Sequence, residues 1–402
     1  MIKKLTIDEL KPGMEIVRLS SDVWEHLPGL YTEPGAIRSE DQVRRIRKNG
    51  FTHAFIEARV PGDLPLEKRL DAALAKHRDT PSPKPRVPFE QEIDAAHDAY
   101  EKAQAQAKII MDDTKMGRQV DYKSSVEVVD EIVNSAIRNP DTLLCLAKLA
   151  KYDDYTYSHS INVSAISVVF GEYLGLDHSE LNKLGVAGMM HDLGKTAVPE
   201  RIINKRARLS EKEFEEIKRH PEYSYELLRQ QESVPDQVLQ AVRDHHEKFN
   251  GSGYPRHILR EETSPLARII SLADVYDALT SDRSYKDAIL PNKALAVMYG
   301  MRGQDFDPKE VQSFIKCLGI FPAGSLVKLS TSFYALVYES NPTQPLLPKV
   351  KIILDPDLRP IRSVTVDLAA HQAENDEPLE ILECTDPSTY RINLKPFLTR
   401  RS

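Results

Sequence analysis

From about residue 90 to residue 318, one amphipathic helical pattern follows another, and almost nothing in this stretch alternates as a strand does. The stretch opens with EQEIDAAHDAYEKAQAQAKIIMDD, which is rich in strong helix formers. Further helical periods lie near residues 125–138, 141–152, 156–175, 178–192, 210–230, 235–247, 264–281, 291–300 and 308–318. The pattern predicts an all-α middle domain that is long enough to shelter a site from water.

The two ends of the chain carry a different pattern. Residues 1–60 combine short alternating runs (MEIVRL, HAFIEA) with Gly and Pro, and they predict a small β-containing domain with one helix near 39–49. A Pro-rich segment at 79–88 is typical of a linker. After Pro322, alternating runs predict a short β element. The expected fold class is multi-domain α+β, with domains at 1–60 (N-terminal, β-containing), 61–124 (linker and helix), 125–320 (helical) and 321–402 (C-terminal, β-rich).

Composition excludes several classes of protein. A net charge of −7 over 402 residues argues against a DNA- or RNA-binding protein. Cys145, Cys317 and Cys384 are far apart, which argues against a disulfide framework or a zinc ribbon. Charges interrupt the N-terminus where a signal peptide needs an apolar stretch, and no segment reaches eighteen uninterrupted apolar residues. We therefore expect a cytoplasmic protein without a membrane anchor.

Histidine and aspartate are concentrated in the helical middle. Seven of the twelve histidines lie between residues 159 and 257. Asp192 and Asp274 lie in apolar helical surroundings, where a carboxylate must meet a cation or a donor. Any one of these residues alone is typical of an ordinary core or surface position. Adjacent His245 and His246 point about 100° apart on a helix, so as a pair they suit two ions in one pocket.

The motifs resemble those of the HD-GYP family, a branch of the HD metal-dependent phosphohydrolases whose characterised members hydrolyse cyclic di-GMP. The resemblance covers roughly residues 125–320, and the first sixty residues resemble a DUF3391-like domain that often precedes such modules. The matching motifs are HS at 159–160, HDLGK at 191–195, HP at 220–221, HHEKFNGSGYP at 245–255 and DVYDALTSDRSYK at 274–286.

The resemblance implies a role for each matching residue. The implied metal ligands are His159, His191, Asp192, His220, His245, His246 and Asp274. Asp192 would bridge two divalent ions, and Lys195 would hold a phosphate oxygen or the attacking hydroxide by its charge. Arg283 and Lys286 would bind the phosphates of the ligand. In the Gly-Tyr-Pro loop, Tyr254 would support the cluster, engage a signalling partner, or simply pack at a turn.

Tyr155 is a departure from the family's pattern. Members with three metals carry a Glu one helical turn before the first histidine, and Tyr155 occupies that position here. Because a phenol stays protonated near pKa 10, we expect two metals rather than three, and a turnover rate that is open to question. Nitrogen and oxygen ligands without thiolate favour iron or manganese, with zinc, nickel and magnesium as alternatives.

The expected function is hydrolysis of cyclic di-GMP to linear pGpG, with GMP as a further product after a second cut. Two alternatives stay open on the sequence. One is a slow or inactive sensor that binds the dinucleotide and signals through another surface. The other is a phosphodiesterase for a different cyclic dinucleotide. The oligomeric state is not indicated by the sequence.

Overall fold

The computed structural model divides the chain into two compact units, Met1–Arg69 and Leu70–Ser402. It describes residues 2–6, 8, 15–20, 35–36, 40–48, 53–57, 65–76, 85–149, 155–205, 207–231, 233–281, 288–341, 343–375, 377–390 and 392–398. The expected α+β class is confirmed, because the middle of the chain is helical and an antiparallel sheet lies near each end.

The first unit contains a four-stranded antiparallel sheet. Its elements are β1 (Ile2–Thr6), β2 (Glu15–Ser20), β3 (Gly35–Ala36), α1 (Glu40–Lys48) and β4 (His53–Glu57). The strand order is β1-β4-β2-β3, so the last strand lies between the first two. α1 buries Val43 and Ile46, which are three residues apart and therefore share one face. Next comes α2 (Leu66–Lys76), which spans the boundary between the units.

The helical middle belongs to the second unit. Its helices are α3 (Phe89–Lys115), α4 (Tyr122–Arg138), α5 (Pro140–Leu149), α6 (Tyr155–Tyr173), α7 (His178–Met190), α8 (Glu200–Ile203), α9 (Glu211–Ile217), α10 (His220–Arg229), α11 (Asp236–Asp244), α12 (Pro265–Thr280), α13 (Pro291–Gly300) and α14 (Pro308–Leu318). α6 is central and contacts α4, α5, α7 and α12. No helix among the described residues combines the length and apolar composition needed to cross a membrane.

The predicted helix at 210–230 is two helices rather than one. α9 ends at Ile217, and α10 begins at His220 with Pro221 in its first turn. Proline lacks the N–H that a helix interior needs but suits the first turn of a new helix. The break matters because it puts His220 at a helix start.

A five-stranded antiparallel sheet follows the helices, in the order β8-β7-β6-β5-β9. Its elements are β5 (Leu326–Leu329), β6 (Tyr334–Glu339), β7 (Lys349–Leu354), β8 (Pro360–Asp367), α15 (Leu368–Glu374) and β9 (Ile381–Thr385). Val327, Leu329, Ala335, Val337 and Leu368 are fully buried in its apolar core. β9 pairs with β5 and forms one edge of the sheet.

Candidate metal centre

Five segments of the helical middle bring the seven predicted metal ligands to one place. His159 lies on α6, His191 and Asp192 follow α7, His220 begins α10, His245 and His246 follow α11, and Asp274 lies on α12. Most of these side chains are almost completely buried, and the His246 side chain is the most open at 23% exposed. In three groups, one ligand atom of each side chain lies within 4.8 Å of the others. The groups are His220 with His245 and His246, His159 with His191 and Asp192, and His191 with His245 and Asp274.

Three of the histidines are oriented in the same way by the backbone. Each follows a helical turn and points its Nδ1 at the carbonyl oxygen three residues earlier, at 2.7 Å. A carbonyl oxygen only accepts hydrogen bonds, so Nδ1 carries the proton and Nε2 of the neutral ring keeps its lone pair. The pairs are His191 with Gly188, His220 with Ile217, and His245 with Val242.

His159 is held by a chain of side chains instead. Its Nδ1 lies 2.7 Å from Asp277 Oδ2, and the other oxygen of Asp277 accepts a hydrogen bond from Asn162 Nδ2 at 2.7 Å. Asn162 Oδ1 in turn accepts a hydrogen bond from the Tyr100 hydroxyl. A carboxylate behind a histidine fixes the ring and makes the outer nitrogen a better metal ligand. His159 Nε2 is thereby turned toward the other members of the cluster.

Asp192 lies at the middle of the cluster. Its Oδ1 is 3.1 Å from His220 Nε2, and its Oδ2 is 3.4 Å from His191 Nε2 and 3.6 Å from His159 Nε2. The ammonium group of Lys195 is 2.5 Å from Oδ2. Each carboxylate oxygen thus faces a different set of imidazoles. This is the arrangement that a carboxylate needs in order to bind two ions at once.

The facing imidazole nitrogens have no hydrogen to share. His220 Nε2 and His245 Nε2 are 3.3 Å apart, and both rings carry their proton on Nδ1. His191 Nε2 is buried and has no hydrogen-bond partner among the described residues. Two lone pairs at such a distance repel each other, and an unpaired buried nitrogen costs roughly 1–3 kcal/mol. A cation that accepts these lone pairs removes both costs, so the residues fit a metal.

The protonation states also suit metal binding. Burial lowers the pKa of His246 to about 3, helped by the charge of His220. Burial likewise holds the pKa of His245 well below its ordinary value. Burial raises the pKa of Asp192, but His191 and Lys195 outweigh this effect and hold it well below the usual range. At neutral pH, His245 and His246 therefore offer neutral imidazoles and Asp192 an ionised carboxylate, which are the forms that bind metal. Burial lowers the pKa of His159, but Asp274 and Asp277 outweigh this effect and instead raise it to about 9.

Two glycines allow the segments of the centre to approach each other. A Cβ at Gly194, two residues after Asp192, would meet the carbonyl oxygen of His220 and would lie 2.5 Å from Ser224 N. A Cβ at Gly253 would lie 2.5 Å from Glu247 Cα. Both distances are far below contact distance, so no side chain fits at either position. The glycines of the two motifs are needed for close backbone packing.

The remaining predicted residues have different outcomes. The Lys195 side chain is one-third exposed, and its ammonium group contacts the buried Asp192. The Tyr254 ring lies 4.7 Å from the His246 ring, centroid to centroid, at an angle of 35°. Arg283 and Lys286 lie outside the described residues, and so does the side chain of Tyr155, whose backbone begins α6.

The supporting residues behind His159 were not predicted from the sequence. Asp277 follows Asp274 by three positions on α12, so both carboxylates lie on one face of that helix. That spacing is a usable signal for Asp277. Asn162 follows His159 by three positions on α6 and offers the same kind of signal. Tyr100 lies on α3, 62 residues away from Asn162 in the sequence, and nothing local points to it.

Two known domain families match the chain. The sequence profile of the family described as HD domain matches residues 143–309. The profile of a domain of unknown function, DUF3391, matches residues 2–124. The HD domain match contains all seven predicted metal ligands.

Individual relatives have related names. The chain is 34% identical to the cyclic di-GMP phosphodiesterase PA4108 of Pseudomonas aeruginosa, over 92% of this chain and 89% of that protein. It is 39% identical to the cyclic di-GMP phosphodiesterase response regulator RpfG of Xanthomonas campestris pv. campestris, over 44% of this chain and 48% of that protein. It is 32% identical to the 3'3'-cGAMP-specific phosphodiesterase 3 of Vibrio cholerae, over 42% of this chain and 36% of that protein. The chain thus spans most of the Pseudomonas protein and less than half of the other two.

Proposed function

The chain belongs to the HD-GYP family of HD domain phosphohydrolases, and we propose that it is a metal-dependent phosphodiesterase that hydrolyses cyclic di-GMP. The family membership that the motifs indicated, with a DUF3391 domain at the N-terminus, is confirmed by the comparisons. The observation that carries the functional proposal is the set of buried imidazole lone pairs that surround Asp192.

We propose that two divalent metal ions bind here, with Asp192 between them. The proposed ligands are His159, His191, Asp192, His220, His245, His246 and Asp274. Iron or manganese suits these nitrogen and oxygen donors best, and zinc, nickel and magnesium are alternatives. Bound ions of this kind lower the pKa of a water molecule and stabilise charge on phosphoryl oxygens.

The side chains of this chain would orient the reaction. In the hydrolysis, the oxygen of a water molecule forms a bond to phosphorus and the bond from phosphorus to the 3'-oxygen breaks. The water releases one proton to solvent, and the leaving 3'-oxygen takes one up from solvent, so that one water is consumed in each cut. Lys195 is the proposed stabiliser of the phosphoryl oxygens, because its ammonium group is near Asp192 and its side chain is one-third exposed. The expected product is linear pGpG, with GMP after a second cleavage.

The choice of substrate rests on the relatives. The relative that matches most of this chain is named a cyclic di-GMP phosphodiesterase, whereas the 3'3'-cGAMP-specific enzyme matches a shorter part. Cyclic di-GMP is therefore the proposed substrate, and 3'3'-cGAMP is the second candidate. A slow enzyme that acts mainly as a sensor remains the alternative from another class, since Tyr155 stands where three-metal members have Glu.

Several sequence predictions remain proposals. These are the domain boundaries at residues 60, 124 and 320, a cytoplasmic location, and phosphate binding by Arg283 and Lys286. A signalling partner at the Gly-Tyr-Pro loop is another. Its support is that Tyr254 is only partly buried while its ring lies beside His246.

The test combines metal analysis with turnover. Protein purified without oxygen and loaded with iron or manganese is incubated with cyclic di-GMP, 3'3'-cGAMP or cyclic di-AMP, and the products are separated by chromatography. We expect pGpG from cyclic di-GMP, and loss of both metal and turnover in Asp192→Ala. Asp98→Ala, which removes an exposed carboxylate on α3, is the matched control. Full metal loading without cleavage of any dinucleotide would contradict the proposal.

A further inference from the structure

A cavity of about 580 Å³ lies between α6 and the C-terminal sheet, and of the seven proposed metal ligands only His159 lines it. On the helical side, the residues that line it include Ser158, His159 and Asn162 of α6. Its volume falls within the roughly 300–1,000 Å³ that is usual for ligand sites. Because His159 belongs to the proposed ligand set, the cavity adjoins the proposed metal centre at this one residue.

The opposite wall of the cavity comes from outside the matched HD domain. It is formed by Leu326 of β5 and by the chain at and after β9, whose polar residues here are Thr385, Asp386, Ser388 and Asn393. These positions lie beyond residue 309, where the HD domain match ends. The C-terminal sheet therefore supplies part of the wall around the space beside the metal centre.

The sheet is held firmly against the helices, so this wall has a fixed position. Gly324 has φ +89°, and a Cβ there would lie 3.0 Å from Lys148 Cβ and 3.3 Å from Cys145 Cα on α5. Ser340 N, just after β6, donates a hydrogen bond to the buried Asp141 at 3.2 Å. The Phe89 and Tyr338 rings pack edge to face with centroids 5.5 Å apart. These contacts are of the kind found inside one domain rather than between mobile ones.

Asp386 is the carboxylate among the described residues that line the cavity. Its Oδ1 accepts a hydrogen bond from Ser388 N at 2.9 Å, and its Oδ2 accepts one from Ser388 Oγ at 2.7 Å. A carboxylate has about four lone-pair sites, so each oxygen retains one acceptor site. Asp386 is exposed, which places it at the outer part of the cavity. The hydrogen bonds from Ser388 fix the direction of the Asp386 carboxylate.

We propose that Asp386 binds the Watson–Crick edge of a guanine base and makes this site select guanine over adenine. Guanine presents two neighbouring donors, N1–H and the 2-amino group, which match the two oxygens of a carboxylate. Adenine presents an acceptor at N1, which a carboxylate repels. The apolar residues Leu326, Ile392 and Leu394 offer surface for the faces of the base. This inference rests on the cyclic dinucleotide function proposed above.

The experiment compares three substrates on full-length, metal-loaded protein. They are cyclic di-GMP, cyclic di-AMP and bis(4-nitrophenyl) phosphate, a small phosphodiester that needs only the metal centre. Asp386→Asn keeps an oxygen that can accept from Ser388 N but offers guanine an amino group in place of one acceptor. Asp386→Ala removes both oxygens. Glu383→Gln is the matched control, because Glu383 is an exposed carboxylate on β9, three residues before Asp386, and does not line the cavity.

We expect kcat/KM for cyclic di-GMP to fall about 10- to 100-fold in both Asp386 variants, the effect of losing charge-assisted hydrogen bonds. Cleavage of bis(4-nitrophenyl) phosphate and of cyclic di-AMP should stay within about twofold, as should all three activities of Glu383→Gln. An unchanged ratio of cyclic di-GMP to cyclic di-AMP cleavage overturns the inference, and so does an equal loss on all three substrates. Wild-type protein that cleaves bis(4-nitrophenyl) phosphate but no cyclic dinucleotide overturns the proposed function itself.

Discussion

The helical unit buries two groups of charged side chains, an arginine network and the histidine–aspartate cluster, and they differ in how their polar atoms are satisfied. In the arginine network, Arg268 Nε donates to Glu310 at 2.8 Å and Arg268 Nη1 donates to the Thr263 carbonyl at 3.0 Å. Arg260 Nε lies 3.0 Å from Asp307 in the same network. Cations of this network therefore face acids of the same chain.

The histidine–aspartate cluster instead leaves His191 Nε2 without a hydrogen-bond partner among the described residues and sets His220 Nε2 against His245 Nε2. The backbone and Asp277 use the Nδ1 atoms of four histidines, and the Nε2 atoms then face one another, Asp192 or, for His159, Asp274 at 3.2 Å. Facing lone pairs are unfavourable without a cation, whereas the arginine network already contains the cations that its acids need. The comparison teaches that burial of charge alone does not identify a site. The direction of the unshared lone pairs does.

Loss of the central carboxylate is the largest effect that we expect. Asp192→Asn should lower kcat/KM about a thousandfold or more, because one side chain joins both proposed ion positions. We expect the variant to be folded and free of metal, because the substitution removes a buried charge. Turnover assays and metal content by plasma mass spectrometry measure the two effects. Normal metal content in this variant would contradict the proposed difference between the two clusters.

The arginine network should control stability instead of activity. Arg268→Met leaves Glu310 buried without its nearest cation and should lower the free energy of unfolding by about 3–5 kcal/mol. The loss should be the same with and without metal, as measured by urea unfolding with manganese or with a chelator. Arg268→Met combined with Glu310→Leu should recover much of it. A loss that depends on metal would show that the two clusters are not separate.

The support behind His159 should have an intermediate effect. Asp277→Asn puts an amide where His159 Nδ1 and Asn162 Nδ2 both need an acceptor. Metal affinity or kcat/KM should fall about 10- to 100-fold, as is usual when a carboxylate behind a ligand histidine is removed. Titration of the metal-free protein with manganese measures the affinity. Asp130→Asn, a half-exposed carboxylate on α4, is the control and should match wild type.

Asp141 is a buried carboxyl outside both clusters, and it should make the free energy of unfolding depend on pH. Burial raises the pKa of Asp141 to about 7, despite the hydrogen bond from Ser340. The unfolded chain releases this proton near pH 4, so stability contributed by the protonated form is lost as pH rises from about 4 to about 7. Asp141→Asn should remove that dependence and be more stable than wild type at pH 8 by about 1–3 kcal/mol. Urea unfolding at pH 5 and pH 8 measures it, and an equal pH dependence in both proteins contradicts the assignment.

The sequence predicted the bounds of most helices closely, but it could not predict which elements pack against each other. The prediction at 291–300 matches α13 and that at 308–318 matches α14, because Pro begins each helix and glycine lies at or just after the end. The split at Ile217–His220 was missed, since the apolar period continues across it. The helical period of a sequence shows which face of a helix is apolar. It does not show where packing in the folded protein ends the helix.

The residues of the candidate site were likewise predicted only in part. The motif residues were predicted from the family resemblance, and Asp277 had a local signal that was not used. No sequence signal pointed to Asp386 as part of the cavity wall. Asp386 lies more than two hundred residues after His159, and only the packing of the sheet on α5 brings the two to one cavity. Contacts of that kind depend on the packed fold as a whole.

The central claim is that the inward lone pairs of the histidines are there to bind metal. Crystals grown with manganese and measured for anomalous scattering test it most directly. The account predicts two strong peaks in each chain, on either side of the Asp192 carboxylate and within bonding distance of the Nε2 atoms. A fully ordered cluster with no anomalous peak, or with peaks only elsewhere on the chain, would contradict it.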